Sequence, residues 1–216
     1  MRLTKPLELF GPAGRLEALL MMPKTLPVAA AVVCHAHPLY GGTMHMKVVY
    51  RAAKVLQQHG IAALRFNFRG VGLSQGRHDG GSGEQDDVRT ALAEMATRFP
   101  SIPLVLGGFS FGSHMALTVG KSHPGVKALF AMGFPVSLIP DLSFLRQGSK
   151  PTFFVQCDLD PFGPGDQMRE LVADLPEPRS LVVVPGGDHL FDGRLDELEQ
   201  ALGDWVSGAP WENGDQ

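Results

Sequence analysis

The residues with the clearest chemistry lie in the segment Gly108-Phe109-Ser110-Phe111-Gly112, where a serine stands between two glycines. An apolar strand-like run leads into this segment, and a helix-like pattern follows it. The pattern predicts a sharp strand-to-helix turn with Ser110 at its apex. Glycines two positions before and after the serine remove Cβ atoms that would clash at such a turn. A hydroxyl displayed in this way is a candidate nucleophile.

A serine hydroxyl is a weak nucleophile at neutral pH, so it needs a histidine to take its proton and a carboxylate to orient that histidine. Both partners are expected downstream of Ser110. Asp158 and Asp160 follow one apolar run, and His189 follows the next. Loops after parallel strands open at the same edge of a sheet, so these groups can converge on the serine. The spacing alone leaves the choice between the two aspartates open.

Strand-like runs alternate with helical segments along almost the whole chain, which predicts an α/β fold with a mostly parallel eight-stranded sheet and helices on both faces. The strands are predicted at 7–10, 16–22, 29–34, 62–68, 104–109, 126–132, 152–157 and 180–184, the first two as an antiparallel edge hairpin. The helices are predicted at 44–58, 84–98, 111–122, 166–174 and 195–206. No linker divides residues 1–216, so we expect a single domain with a frayed end from Trp211 to Gln216.

Composition narrows the class of partner. The 216 residues are 44% hydrophobic and 19% charged, with a formal net charge of -3 and no basic run. This balance argues against nucleic-acid and anionic-membrane partners and favours a small-molecule substrate. Cys34 and Cys157 each end an apolar run, so no disulfide is implied. The amino terminus lacks an apolar signal segment, and we expect a cytoplasmic location.

The motif around Ser110 and the order Ser, Asp, His resemble the α/β-hydrolase superfamily, and specifically its small bacterial members without a lid, near the dienelactone-hydrolase-like and predicted-hydrolase groups. In such proteins the acid usually takes the fourth place of a Gly-x-x-Asp-x-x-x-Pro stretch. Cys157 replaces the glycine here, while Asp160 and Pro164 keep the spacing. The resemblance therefore implies Asp160, rather than Asp158, as the acid. Residues 133–151 are too few to form a lid domain.

Two loops carry further resemblance. The segment from Asn67 to Gly76 resembles the family's Asp-x-Arg-Gly-x-Gly-x-Ser-x-Gly loop, with asparagine in place of aspartate, and we interpret it as scaffold. The segment from His35 to Met44 resembles a His-Pro-His-Pro-x-x-Gly-Gly-x-Met loop, from which Ala36 departs.

Acyl transfer also needs donors for the negative oxygen of its intermediate. The backbone amide of Phe111, directly after the serine, is one predicted donor. The second is expected in the loop after strand 29–34. Pro38 has no N–H, so His37 is the predicted donor and Leu39 the reserve.

Several residues around the candidate nucleophile are apolar. Leu39, Tyr40 and Phe162 are predicted to contact substrate, and Phe109, Phe111 and Met115 either line the same pocket or belong to the core.

A metal or cofactor site is not predicted. His35 and His37 are two apart on an extended segment, but no third ligand accompanies them. The glycines of the 67–76 loop miss the spacing of a dinucleotide fingerprint, and no P-loop motif is present.

The function expected from the resemblance is a serine hydrolase acting on small acyl or aryl esters, thioesters or lactones without a cofactor. The same triad also serves amide, peptide and acyl-transfer reactions, and these stay open as alternatives. A non-catalytic binding protein on this scaffold would usually have lost one of the three residues. All three are present here.

Overall fold

Short apolar runs of six to eight residues form one sheet in the computed structural model, which describes residues 4–212. The strands are β1 (Thr4–Gly11), β2 (Gly14–Met21), β3 (Ala29–Cys34), β4 (Ile61–Phe66), β5 (Leu104–Phe109), β6 (Val126–Met132), β7 (Thr152–Cys157) and β8 (Arg179–Val184). The helices are α1 (Lys47–Gln58), α2 (Ser82–Arg98), α3 (Phe111–Ser122), α4 (Gly165–Ala173) and α5 (Leu195–Ser207).

The strand order is β1-β2-β4-β3-β5-β6-β7-β8. Strands β1 and β2 form an antiparallel edge hairpin, β2 pairs antiparallel with β4, and the remaining pairs are parallel. The predicted eight-stranded, mostly parallel α/β architecture is confirmed. Because β3, β5, β6 and β7 are neighbours or near neighbours, the loops that follow them open at one edge.

The helices cover both faces of the sheet, and an apolar core lies on each side. One core packs α2, α3 and α4 against the sheet, and the other packs α1 and α5. Strands β3, β4, β5 and β7 are buried at every position, which explains their continuous apolar sequences. Strand β8 alternates half-buried and exposed residues because it lies at the edge. The helices within residues 4–212 are too short or too polar to cross a lipid bilayer.

Several predicted boundaries differ from the structure by one to three residues. Strand β4 ends at Phe66 rather than residue 68, and α1 begins at Lys47 rather than residue 44. One hydrogen bond connects the two segments outside these elements, because Met44 N donates to the side-chain amide oxygen of Asn67. The prediction that the chain is frayed from Trp211 onwards is wrong for residues 211 and 212. Pro210–Glu212 forms a 3-10 turn, and Trp211 is buried. Residues 213–216 lie outside the described residues.

The turn between β5 and α3 adopts the backbone geometry that its glycines predict. Ser110 has φ 55° and ψ -123°, a region that non-glycine residues rarely adopt. A Cβ at Gly108 would come within 2.9 Å of the Cys34 side chain, and one at Gly112 within 2.6 Å of the Cys34 carbonyl carbon. The two glycines therefore allow α3 to approach the end of β3 closely.

His35 continues the chain beyond β3 and is completely buried. The Phe68 amide donates to its Nε2 at 3.0 Å, so the ring proton is on Nδ1, which donates to the Ala36 carbonyl at 2.6 Å. Burial lowers the pKa of His35 from 6.5 to about 4, although the bond to Ala36 opposes this shift. A neutral imidazole thus ties the end of β3 to the segment after β4.

We predict that Gly112→Ala destabilises the protein by about 1–3 kcal/mol, because the added methyl group overlaps the backbone of Cys34 and His35. In a helix with free space the same change would stabilise by about 1 kcal/mol, so the sign of the effect is diagnostic. Urea unfolding measures it. Gly208→Ala is the control, since a Cβ there meets only Trp205 O at an ordinary 3.5 Å. Equal stability of the two variants would contradict the tight contact.

We predict that His35 makes the protein less stable in acid. The pKa of this residue is lower in the folded state than in the unfolded chain, so its contribution is complete above pH 6.5 and is lost as the pH falls towards about 4. The loss amounts to about 3 kcal/mol. His35→Gln, which can still accept from Phe68, should show a flatter profile of unfolding free energy against pH. His45→Gln, at an exposed histidine, should retain the wild-type slope. Parallel profiles for wild type and His35→Gln would assign the acid sensitivity to other groups.

Candidate active site

Ser110, His189 and Asp160 form a continuous hydrogen-bonded chain at the carboxyl edge of the sheet. His189 Nδ1 lies 2.7 Å from Asp160 Oδ2, and Nε2 lies 2.8 Å from Ser110 Oγ. A carboxylate can only accept, so Nδ1 carries the proton and Nε2 is left to accept from the serine hydroxyl. The three residues come from the ends of three strands, β5, β7 and β8, as the sequence predicts.

Asp160 is fixed from several directions. Its side chain is fully buried, and its two oxygens accept from the amide of Phe162 and from the side chain of Gln156, both at 2.8 Å. Gln156 also donates to Gly163 O and accepts from Phe134 N, at 2.8 Å each. This network holds the carboxylate in one orientation towards His189.

Asp158, the alternative acid, lies elsewhere. Its Oδ1 accepts from the Gly186 amide at 2.7 Å, and this bond ties the loop after β7 to the loop after β8. The structure therefore brings Asp160, and not Asp158, to the histidine. Asp188 accepts from the amides of Leu190 and Asp192, so it shapes the loop that carries His189.

The imidazole of His189 is packed between two aromatic rings. The ring of Phe109 lies 5.1 Å from it, and the ring of Phe162 meets it edge-on at 4.8 Å. The side chain is 14% exposed, so one edge still reaches solvent. Packing and the bond to Asp160 together restrict the ring to the position from which it reaches Ser110.

The residues of the two predicted oxyanion donors line the same cavity as the serine. Phe111 is the first residue of α3, so its amide has no acceptor within the helix. The peptide between Ala36 and His37 is trans, and its carbonyl accepts from His35. The His37 N–H consequently points away from His35. Within residues 4–212, neither amide donates to another backbone group outside a helix or strand.

The reserve donor Leu39 does not have a free amide, because its N–H donates to His37 Nδ1 at 3.2 Å. Its side chain is 70% exposed and does not line the cavity above the serine. The prediction that Leu39 contacts substrate is therefore not supported by its position. The residue is the middle one of a short 3-10 turn, Pro38–Tyr40, and its side chain is directed to solvent.

A cavity of about 270 Å³ opens above Ser110. Its walls are mostly apolar and include two of the predicted substrate contacts, Tyr40 and Phe162. Phe109 and Phe111 also line it, whereas Met115 belongs to the core. The other lining residues are Ala36, His37, Met46, His114, Pro135, Leu138, His189 and Leu190. The lining contains no lysine, arginine or carboxylate side chain.

Sequence reasoning missed several residues of the site. Gln156, the support of Asp160, is a polar residue inside the apolar run of β7, and that contrast was its available signal. Met46, Pro135 and Leu138 line the cavity from loops, where no periodicity marks them. His35 and His37, in the loop after β3, have no third metal ligand beside them in the part of the chain that the structure describes. Within residues 4–212 no group of three or more His, Cys, Asp or Glu side chains has the arrangement of a metal site.

Comparisons with known proteins agree with this geometry. An uncharacterized protein of Rickettsia prowazekii (strain Madrid E) is 37% identical over 205 residues, which cover 91% of this chain and 86% of that protein. An alpha-beta serine hydrolase homologue from Coxiella burnetii superposes with a TM-score of 0.87 at 36% identity, covering 93% of this chain and 96% of the other. A lidless a/b serine hydrolase from Xanthomonas campestris superposes with a TM-score of 0.88 at 32% identity, covering 96% of this chain and 95% of the other.

A family model described as an alpha/beta hydrolase domain matches residues 29–204, which include the whole hydrogen-bonded chain and the loops around the cavity. Like the Xanthomonas protein, this chain has no inserted domain between β6 and β7, where only two short 3-10 turns occur. The protein is therefore a lidless member of the alpha/beta hydrolase family.

Proposed function

We propose that this hydrolase cleaves carboxylic esters through an acyl-enzyme, with Ser110 as nucleophile, His189 as acid and base, and Asp160 as the orienting carboxylate. The observation that supports this most directly is the chain of hydrogen bonds, 2.7 Å and 2.8 Å long, from Asp160 through His189 to Ser110. It ends on a serine at the base of an apolar cavity. This is the arrangement that activates a hydroxyl for acyl transfer.

In the first half-reaction Ser110 Oγ attacks the ester carbonyl carbon while its proton passes to His189 Nε2. Asp160 stabilises the resulting imidazolium through Nδ1–H. The tetrahedral intermediate then collapses, the bond to the alcohol oxygen breaks, and the leaving alcohol takes the proton from Nε2. The acyl group stays on Ser110 as an ester.

In the second half-reaction His189 takes a proton from water, and the hydroxide formed attacks the acyl carbon. The bond to Oγ breaks, Ser110 recovers the proton from Nε2, and the carboxylic acid leaves. The amides of Phe111 and His37 are the proposed donors to the negative oxygen in both halves. Each such donor contributes about 3 kcal/mol to transition-state stability.

The cavity supports small acyl or aryl esters, thioesters and lactones as the substrate class. Its volume of about 270 Å³ is just below the usual range for small-molecule sites, so it can enclose a short chain or one ring. Aromatic side chains form much of its wall, and no charged side chain attracts an ionic substrate. These walls also offer few polar groups to pair with a peptide backbone, which favours esters over peptides.

We predict that a fluorophosphonate probe labels the native protein at Ser110, because only an activated serine reacts readily with it. Ser110→Ala should abolish labelling and lower kcat for a short-chain ester by about 10⁴-fold or more. His189→Ala should have a similar effect, since the hydroxyl then lacks its base. Mass spectrometry locates the label, and steady-state kinetics measures kcat.

Ser122→Ala, at the other end of α3, is the matched control and should label as the wild type does. Undiminished ester turnover in Ser110→Ala would refute the proposed nucleophile. A protein that resists every serine-directed probe would favour the non-catalytic alternative. Matched esters, thioesters and anilides with one acyl group separate ester hydrolysis from amide cleavage.

We predict that Asp160→Asn lowers kcat by about 10³- to 10⁴-fold, because an amide at this position favours the wrong tautomer of His189. Asp158→Asn is the matched control, since the Asp158 carboxylate accepts from the Gly186 amide instead of from His189. It should change kcat by less than about tenfold. Comparable losses in both variants would contradict the assignment of Asp160 as the orienting carboxylate.

A further inference from the structure

His114 lies beside the candidate nucleophile, and the proposed reaction does not use it. It is on α3, one helical turn after the serine, where its backbone N–H donates to Ser110 O at 3.2 Å. Its side chain lines the cavity, and its ring packs against Phe144 with the centroids 5.5 Å apart. His114 therefore forms part of the wall, and Phe144 supports it from the connection that leads to β7.

Both ring nitrogens of His114 lack a hydrogen-bond partner among residues 4–212. The other two histidines of the cavity differ, because His189 binds Asp160 and Ser110, and His37 Nδ1 accepts from the Leu39 amide. An imidazole with two free nitrogens in an apolar wall is a polar group available to a ligand. Buried polar groups of this kind usually fix the orientation of a bound molecule.

The charge of His114 limits what it can bind. Burial lowers its pKa below the ordinary value of 6.5, so the ring is neutral at pH 7. A neutral imidazole has one N–H donor and one acceptor nitrogen. A hydroxyl group can donate one hydrogen bond and accept others, so it can pair with either nitrogen of the ring. A carboxylate would find no lysine or arginine in the cavity lining to balance its charge.

We infer that His114 is a substrate-binding residue that selects uncharged esters carrying a hydroxyl group, and this inference rests on the proposed function. The aromatic walls of the cavity suit a ring, and His114 supplies the polar contact at one side of it. The hydroxyl can belong to the acyl part or to the alcohol part of the ester. Separate substrate series distinguish the two.

The acyl series compares methyl 2-, 3- and 4-hydroxybenzoate with methyl benzoate and the methoxy analogues, which accept but do not donate. The alcohol series compares the hydroxybenzyl acetates with benzyl acetate. In at least one series the wild type should prefer the best hydroxylated ester. His114→Phe should reduce that preference, expressed as a ratio of kcat/KM values, by about fivefold to tenfold. The intrinsic reactivity of each ester is the same for both proteins. It therefore cancels when the preference of the variant is divided by the preference of the wild type.

His114→Gln keeps a donor and an acceptor and should restore part of the preference. His123→Phe, beyond the far end of α3, should keep the wild-type ratio, and thermal unfolding checks that each variant is folded. Binding of the same esters to Ser110→Ala, with and without His114→Phe, tests recognition without turnover. The hydroxylated ester should lose affinity in the double variant by a similar factor.

Two results would overturn the inference. The first is a wild type that shows no hydroxyl preference in either series, and the second is a preference that survives His114→Phe. Both can occur while Ser110 is labelled and ester turnover depends on it, so they leave the proposed function intact. Failure of the proposed function itself would appear as turnover that is independent of Ser110.

Discussion

The candidate site depends on the close approach of helix α3 to the end of strand β3. Only glycine fits at positions 108 and 112, because a Cβ at either position would overlap atoms of the turn or of Cys34. This approach places the start of α3 beside the loop that carries His37. The strained backbone of Ser110 is retained because its N–H donates to Met132 O and its carbonyl accepts from Ser113. The proposed nucleophile and both proposed oxyanion donors thus share one local constraint.

Buried polar side chains hold the loops that the sheet brings together. His35 holds the loop after β3, and Gln156 holds the loop after β7, each with every side-chain hydrogen-bonding group used. A half-satisfied group at either place would cost about 1–3 kcal/mol and would leave its loop free to adopt other positions. Both side chains are uncharged, so neither adds a competing charge beside Asp160 or the proposed oxyanion. They fix the geometry without adding a net charge to the site.

The sequence allowed most of the fold to be predicted, since continuous apolar runs and glycine-bounded turns are local signals. The convergence of Ser110, His189 and an aspartate followed from strand order, because parallel strands place their loops at one edge. The choice of Asp160 over Asp158 came from the family resemblance. Side-chain partners were harder to predict. The free imidazole of His114 and the solvent-directed side chain of Leu39 depend on packing between segments that are distant in sequence. Neither carries a periodic or spacing signal, so only coordinates reveal them.

Asn67 shows how a departure from the family pattern can be compensated. Its amide oxygen accepts from the Met44 amide, and its amide nitrogen donates to Glu17 Oε2, both at 2.8 Å. Arg65 donates to the carbonyl of Met44, so this residue of the proposed oxyanion loop is held from both sides. An aspartate at position 67 could accept from Met44 but could not donate to Glu17, and two carboxylates would repel at this distance. Glu17 is on β2, before the residues 29–204 that match the family model. The partner of Asn67 therefore lies outside the segment that the family model matches, and the loop pattern alone does not reveal it.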